Sequence, residues 1–592
     1  MAPSQQRETP GRVRIVLGVD YGTTYSGVSY GTTDKTNAAD VTVIRSWPGR
    51  DGEWKVPSRI AYERENNTFG LTQNAWGYDV QPSMVSYSWT KLLLDQSAGP
   101  PHDDPDFRLA LDQGMLRLPS NYTAQRVCGD FLREVYNYST AQLIKQISKE
   151  VFDSTPVDCW LTVPAVWSDQ ARDSTRTAAY AAGFGCRPQD TINIISEPEA
   201  GAIAALHKYT HPSSLNKPQV GESIMVCDCG GGTVDITTYM ITDTTPRLEF
   251  REVCVGIGAK CGATYVDRNL HKLMRQRFGQ AFNEVDMKRK GPGSRFMNSW
   301  ESVKRGFGSA GDSRVQEIGP LVMKGVNSSQ YYDEDDSLVR LTRTDVESLF
   351  APVVDEILSL LVDQKIAIEQ LGHALDRLVL VGGFGDSDYL CSRLKEWCTF
   401  NGDLKLLVSE HPQAAIVRGA ALRGMGAVAP TQRCCRRSYG VGTSQPFRDG
   451  LDPEARAYTS QWDGSKRCLG RMDWLILKGA SITKDTRGAV HLSIPATNVD
   501  DMKMTCTLYS SALDFPPEYT DGPGVQVVGH IFVDFTRMDK ARMPRRREGR
   551  FGKTKWNLPF SIEVVFGSGT GVLEFRTVVD GIVSGFAVIS FE

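Results

Sequence analysis

Residues 15–27, IVLGVDYGTTYSG, and residues 223–235, SIMVCDCGGGTVD, carry one pattern twice, about two hundred residues apart. Each copy begins with β-branched and apolar residues at the length of a buried strand. Each places an Asp at the strand end and turns the chain back on glycine and threonine. Gly22, Gly230, Gly231 and Gly232 have no Cβ, so backbone N–H groups can approach a phosphate, and the hydroxyls of Thr23, Thr24 and Thr233 add donors. Asp20 and Asp228 stand where a carboxylate can hold a hydrated divalent cation. One such turn also occurs in ordinary strand–turn–strand connections; two in the same context point to a nucleotide clamped between two related halves. Neither G-x-x-x-x-G-K-[ST] nor a helix-opening G-x-G-x-x-G is present there, so hairpin turns rather than a helix N-terminus grip the phosphates.

With 592 residues and a formal charge of −3, the chain has material for several domains and no global attraction to nucleic acid. No run of about eighteen apolar residues occurs, and the N-terminal MAPSQQRETPGRVR lacks the apolar core of a signal peptide. Cytosol, with the nucleus as an alternative, is the expected compartment, and no membrane partner is implied. The thirteen cysteines are scattered, and Cys227 with Cys229, or Cys434 beside Cys435, have neither C-x-x-C spacing nor His partners. They read as reduced thiols, most of them buried.

Between the two hairpins strands and helices alternate. Val127, Phe131, Val135, Leu143 and Ile147 recur at helical spacing from Thr123 to Glu150, ahead of the strand VDCWLTVPA. Ser168 and Asp169 cap a helix ending at Gly183, TINII is the next strand, and EPEAGAIAAL opens a helix with acids in its first turn. Thr344 and Glu347 form a capping box for a helix to about Leu371, followed by the strand RLVLVGG. The alternation argues an α/β fold. Around Val428 it stops: AVHLSIPA, MKMTCTLYS, VQVVGHIFVDF, FSIEVVF and VLEFRTVV read as short strands between Gly, Pro and Asp turns. The roughly 165 residues there suffice for a β-sandwich.

These motifs resemble one family. LGVDYGTTYSGV and CDCGGGTVDIT look like the two phosphate hairpins of the heat-shock protein 70 chaperones. LTVPAVWSDQAR, IISEPEAGAIAAL, ESVKR, LVLVGGFG and HPQAAIVRGAA match that family's later motifs in order, from about Arg14 to Gly426. Within the family the chain is most similar to the divergent A12-type members. The resemblance implies a duplicated actin-like, ribonuclease-H-like ATPase fold in two lobes. A flexible N-terminus would span 1–13 and the ATPase domain 14–427, with lobes at about 14–220 and 221–427. A β-sandwich-like all-β domain for substrate or partner would follow at 428–592. Since the chain stops at Phe591 and Glu592, the helical lid and the acidic cochaperone-recruiting tail of typical members are expected to be absent.

The resemblance also assigns roles. Gly22, Thr23, Thr24 and Tyr25 would contact the β- and γ-phosphates of ATP or ADP, with Gly230, Gly231, Gly232, Thr233 and Asp235 forming the second hairpin. Asp20 and Asp228 would position magnesium, largely through water, and potassium is a further cation the family suggests. Lys91 in SWTKLLL would stabilise charge developing on the transferred phosphoryl group, and Glu197 would orient the attacking water. Glu301, Lys304 and Arg305 share a helical face, a spacing equally typical of a solvated surface; the resemblance makes that face the adenosine site, with Gly382 and Gly383 closing over the nucleoside. Two departures, Asp386 for an adenine-stacking Arg and Gln413 for an Asp, imply weaker nucleotide affinity. Pro164 and Arg172 match a proline switch and its arginine relay, but the acidic-leucine linker between domains is not recognisable from Gly426 to Tyr439.

The function implied is an ATP-hydrolysing chaperone whose nucleotide state controls a protein or peptide client, assisted by a cochaperone or nucleotide-exchange factor. A nucleotide-switched scaffold with negligible turnover is the first alternative. A small-molecule kinase is the second, disfavoured because no sugar-kinase signature accompanies the hairpins. The basic stretch RMDKARMPRRREGRFGKTK, Arg537 to Lys555, reads as an anion or nucleic-acid patch, a nuclear address or a solvated hairpin loop; its Pro, Gly and flanking strands favour the loop.

Overall fold

Both quoted strands are buried along their whole length, as a strand covered on two faces must be. In the computed structural model, residues 13–35, 37–95, 116–209, 217–244, 248–308, 314–426, 428, 430–483, 486–496, 502–536, 543–547, 554–566 and 573–588 are described. The N-terminal segment 1–12, the C-terminal 589–592 and much of the basic stretch lie outside them. The chain divides into two compact units, one of residues 1–250 and 256–429, the other of 251–255 and 430–592.

In the first unit, β1 (Ile15–Asp20) and β2 (Tyr25–Thr32) form an antiparallel hairpin extended by β3 (Thr42–Val43). On the other side of β1, β4 (Val157–Val163) and then β5 (Thr191–Ser196) add in parallel. The second sheet repeats this plan. β6 (Ser223–Cys229) and β7 (Val234–Asp243) are the hairpin, β8 (Glu249–Glu252) follows β7, and β9 (Arg377–Val381) and β10 (Lys405–Val408) add in parallel beside β6. The hairpin registers correspond, with Asp20 opposite Gly27 and Asp228 opposite Asp235.

Parallel neighbours need crossovers, and helices supply them. α1 (Ala124–Ile147) starts at the Thr123 cap and ends at Ser148, whose positive φ of 70° breaks the longer helix that the periodicity predicts. α2 (Asp169–Ala182) has the expected Ser168 cap and Gly183 stop. α3 (Glu197–Tyr209) leads from β5 to the second sheet; α4 (Ala263–Asn283), α5 (Arg295–Gly306) and α6 (Arg343–Gln370) follow the second hairpin. The capping box of α6 is Thr342 with Asp345, not Thr344 with Glu347. Two S/T-x-x-acid patterns overlap there, and the preceding strand ends at Leu341, so the first Thr meets the first free helical N–H.

α7 (Pro412–Gly424) crosses α3 so closely that a Cβ on Gly419 would lie 1.7 Å from the Ala200 carbonyl oxygen. Val16 and Trp160 of the first sheet, Ile224, Val226 and Val381 of the second, and Ile203 and Ile416 of these helices share one core. The sheets therefore hold their hairpin turns in fixed relation, a construction that continuous burial on both strands requires.

In the second unit ten strands form one hydrogen-bonded path. They are β11 (Ser438–Pro446), β12 (Ala457–Thr459), β13 (Lys466–Ile476), β14 (Arg487–Ala496), β15 (Lys503–Ser511), β16 (Val525–Asp534), β17 (Arg545–Arg547), β18 (Thr554–Phe566), β19 (Leu573–Val579) and β20 (Ile582–Val588). The order is β12-β13-β11-β15-β16-β20-β19-β18-β14, with β17 on β18. Val441, Leu508, Ile531, Ile562 and Phe575 make its core. A Cβ on Gly488 of β14 would lie 2.8 Å from the Leu475 oxygen of β13, so the sheet rolls until distant strands meet. Which strands pair is a non-local property that alternation does not encode. Among the described residues of this unit there is no α-helix. Arg545–Arg547 of the basic stretch pairs antiparallel with Thr554–Trp556, and the residues between them lie outside the described ones. The segment Arg251–Val255, expected inside the second lobe, groups with this unit, where Glu252 Oε1 accepts from Arg436 at 2.7 Å and Glu252 Oε2 from the Cys434 amide at 2.6 Å. All thirteen cysteines are free thiols, nine of them buried. No described helix is long and apolar enough to cross a membrane.

Candidate functional site

The two hairpin turns open into one cleft of about 690 Å³, within the range of small-ligand sites. Asp20, Gly22, Thr23, Thr24 and Tyr25 line it from the first turn, and Asp228, Gly230, Gly231, Gly232 and Thr233 from the second. Lys91, Glu197, Glu301, Lys304, Arg305, Gly382 and Gly383 line it as well, so residues more than three hundred positions apart converge. The turns leave no room for side chains. A Cβ on Gly22 would sit 2.2 Å from the Tyr25 oxygen, and one on Gly231 2.3 Å from Thr24 Oγ1. Gly382 has φ +88°, and a Cβ there would fall 2.3 Å from Asp228 Oδ1.

Lys91 lies in the 3-10 turn Thr90–Leu93, entered from Trp89 in the left-handed region at φ 61°. A bulky residue there is strained, and packing of Trp89 against Leu92 and Leu116 holds it. The turn delivers Lys91 Nζ to Glu197 Oε1 at 2.6 Å, both side chains buried, with the ammonium 5.1 Å from the Trp167 ring centroid. Burial pushes the Glu197 carboxyl up to about 7, although Lys91 pulls it down. Asp228 stands well above the usual carboxylate range, because burial, then Glu197, Asp235 and Asp20, all oppose its charge.

Asp20 differs. Its Oδ1 accepts from Thr162 Oγ1 at 2.9 Å, and its Oδ2 from Lys55 Nζ at 2.5 Å. Burial draws the Lys55 pKa down, but Asp20, with Asp228 and Glu197 behind it, more than reverses this and holds it above the ordinary lysine value.

On α5, Lys304 is no solvated lysine. It bridges Asp267 Oδ1 at 2.8 Å and Glu301 Oε2 at 2.7 Å, and Trp300 Nε1 donates to the same Asp267 oxygen at 2.9 Å. Arg305 pairs with Glu301 at 2.9 Å and lies 5.4 Å from the Tyr25 ring, joining this helix to the first hairpin. Asp386 and Gln413 both line the cleft.

Asp235, Pro164 and Arg172 do not line it. Asp235 Oδ1 instead accepts from the Ala165 and Val166 amides at 2.8 and 3.2 Å, and Arg172 Nη2 donates to the Ala165 oxygen at 3.0 Å. Asp235 thus ties the second hairpin to the turn after Pro164. Lys55, Arg59 and Asp267 are site residues that no motif announced. Lys55 stands in WKVPS without a repeated or paired signature; its partner is 35 positions away.

The residues fit a nucleoside triphosphate with a divalent ion. The cradle is one a Cβ would fill, hydroxyl donors flank it, and buried carboxylates face it. Among the described residues no group of three or more His, Cys, Asp or Glu could hold a metal directly.

A duplicated sheet with paired hairpins around one phosphate-sized cleft defines a two-lobed, actin-like nucleotide-binding protein. The family model described as Hsp70 protein matches residues 106–432, more than half of the chain, and the chain belongs to that family. It is similar to heat shock 70 kDa protein 12A of Homo sapiens, 24% identical over 618 residues covering 90% of this chain and 87% of the relative. Heat shock 70 kDa protein 12B of Homo sapiens is 23% identical over 630 residues, 91% of this chain and 88% of the relative. Chaperone protein DnaK of Psychrobacter cryohalolentis is 24% identical over 424 residues, 69% of this chain and 58% of the relative. The chain is a divergent family member of the 12A type, with a likeness to 12A and 12B that runs well past the matched ATPase region.

Proposed function

We propose that the chain binds ATP with magnesium between the two hairpins, hydrolyses it slowly, and uses its nucleotide state to control protein-client binding by the β-rich unit. The observation that carries this reading is the buried Lys91–Glu197 pair at 2.6 Å in a cleft lined by both glycine turns. Backbone N–H groups of Gly22–Tyr25 and Gly230–Thr233 bind the phosphates, and the threonine hydroxyls add donors. Magnesium, when bound, supplies positive charge that screens the phosphate oxygens. Asp228 and Asp20 hold its water shell. Glu197 accepts a hydrogen bond from the attacking water and Lys91 keeps that carboxylate in place while facing the charge that develops; catalysis is positioning and electrostatics.

Glu301, Lys304 and Arg305 take the nucleoside, with Lys304 holding the helix face through Asp267. The strut from Asp235 to Ala165 and Val166, with Arg172 on Ala165, supports Pro164 and Arg172 as the relay from the second hairpin. The protein belongs in the cytosol, with a client and a nucleotide-exchange factor as partners. The test is ATP turnover by the purified protein with and without an unfolded client, beside Thr233→Ala. Slow turnover that the client accelerates, and that the variant loses, supports the reading. ATP binding without client-sensitive turnover replaces it with the nucleotide-switched scaffold.

A further inference from the structure

Asp20, Glu197, Asp228 and Asp235 bring four carboxylates into one buried region, each less than a tenth exposed. Lys55 and Lys91 are buried among them. Lys91 is taken by Glu197, which leaves Lys55 as the cation for the first hairpin. Its delivery is rigid. Val56 and Pro57 pair with Ser26 and Tyr25, the Ser58 amide donates to the Thr24 oxygen at 2.8 Å, and Ser58 Oγ donates to the Gly22 oxygen at 2.7 Å. Tyr78 Oη donates to the Lys55 oxygen at 3.0 Å. Backbone pairing thus fixes the segment to the turn whose Asp it neutralises.

Two lysines serve four acids in this region, and removal of Lys55 would leave one lysine for the same four. Each oxygen of Asp20 already has a donor, so its charge is answered before any ion arrives. We propose that Lys55 is the built-in monovalent cation of the phosphate site, a positioning residue that holds Asp20 and the first hairpin in place without bound potassium. The inference rests on the nucleotide reading for its purpose, but not for its first test.

That test is thermal melting of the full chain, free of nucleotide, in choline chloride, potassium chloride and magnesium chloride at equal ionic strength. Wild type is expected to melt alike in choline and potassium. Lys55→Met should melt several degrees lower in choline and recover at least half of the loss in potassium or magnesium, while Lys55→Arg should follow wild type. A Lys55→Met that melts as wild type in every salt, or that loses the same amount in every salt, overturns the proposal, as does a potassium-dependent wild type. The second arm is binding of a fluorescent ATP derivative in magnesium. Lys55→Met should bind about tenfold more weakly in choline than in potassium, a ratio near one in wild type. Equal ratios in both proteins overturn the proposal. If wild type binds no nucleotide, the nucleotide reading falls, while the melting arm still decides whether Lys55 serves as the cation.

Discussion

The two phosphate hairpins share topology, register and a terminal Asp, yet their carboxylates stand in opposite situations. Asp20 is neutralised from within by Lys55 and hydrogen-bonded by Thr162. Asp228 has like charges around it and is pushed well above the ordinary carboxylate range by burial and those neighbours. Duplication produced two cradles, and side chains from outside the repeat made them unequal. The first hairpin is complete as it stands, and the second is incomplete until positive charge arrives. On the proposed reading a divalent ion would sit on the Asp228 side of the cleft, next to the Lys91–Glu197 pair.

The largest effect should come from what the hairpins share. Gly22→Val places carbon 2.2 Å from the Tyr25 oxygen of its own turn and Gly231→Val 2.3 Å from Thr24 of the facing turn, and each should weaken ATP binding by roughly a hundredfold or more by calorimetry. If only one of them does, the clamp is not symmetric in its grip.

Next is Glu197→Gln, which removes the acceptor for the attacking water. Turnover should fall about a hundredfold or more with nucleotide affinity little changed. Because burial sets the wild-type carboxyl at about 7, single-turnover rates should rise with pH through that value as the acceptor ionises. The Gln variant should lack this limb.

Lys304→Met leaves Asp267 buried and without its lysine. Loss of one partner of a buried pair costs about 3–5 kcal/mol, readable in urea unfolding of the first unit. A small loss would mean that the adenosine-side helix is held by Trp300 and packing instead.

The smallest effect is Asp228→Asn without nucleotide. An acid whose folded pKa is raised binds its proton more tightly folded than unfolded, so stability falls as pH rises from the unfolded value through the folded one. The amide removes that penalty. Melting should therefore rise by roughly 2–4 °C at pH 7.5 and hardly change near pH 4, whereas Asp20→Asn, which strands Lys55, should lower it.

The sequence made the hairpins legible because their chemistry is local: apolar β-branched strands, an Asp at the end and glycines where no Cβ fits. The α/β order and the cap of α2 were legible for the same reason. Lys55 and Asp267 were not, since each meets its partner only through strand pairing or helix packing over 35 to 37 positions. The capping box of α6 failed on two equivalent local patterns, which only the end of the preceding strand distinguishes. The strand order of the second unit escaped because alternation gives each strand a face but no neighbour.

The most direct measurement is a crystal structure grown with ADP and manganese, with the metal located by its anomalous signal. The account predicts the phosphates between the Gly22–Tyr25 and Gly230–Thr233 turns, one manganese bridged by water to Asp228, and Lys55 still on Asp20. A cleft without nucleotide, or a metal that has displaced Lys55 from Asp20, would contradict it.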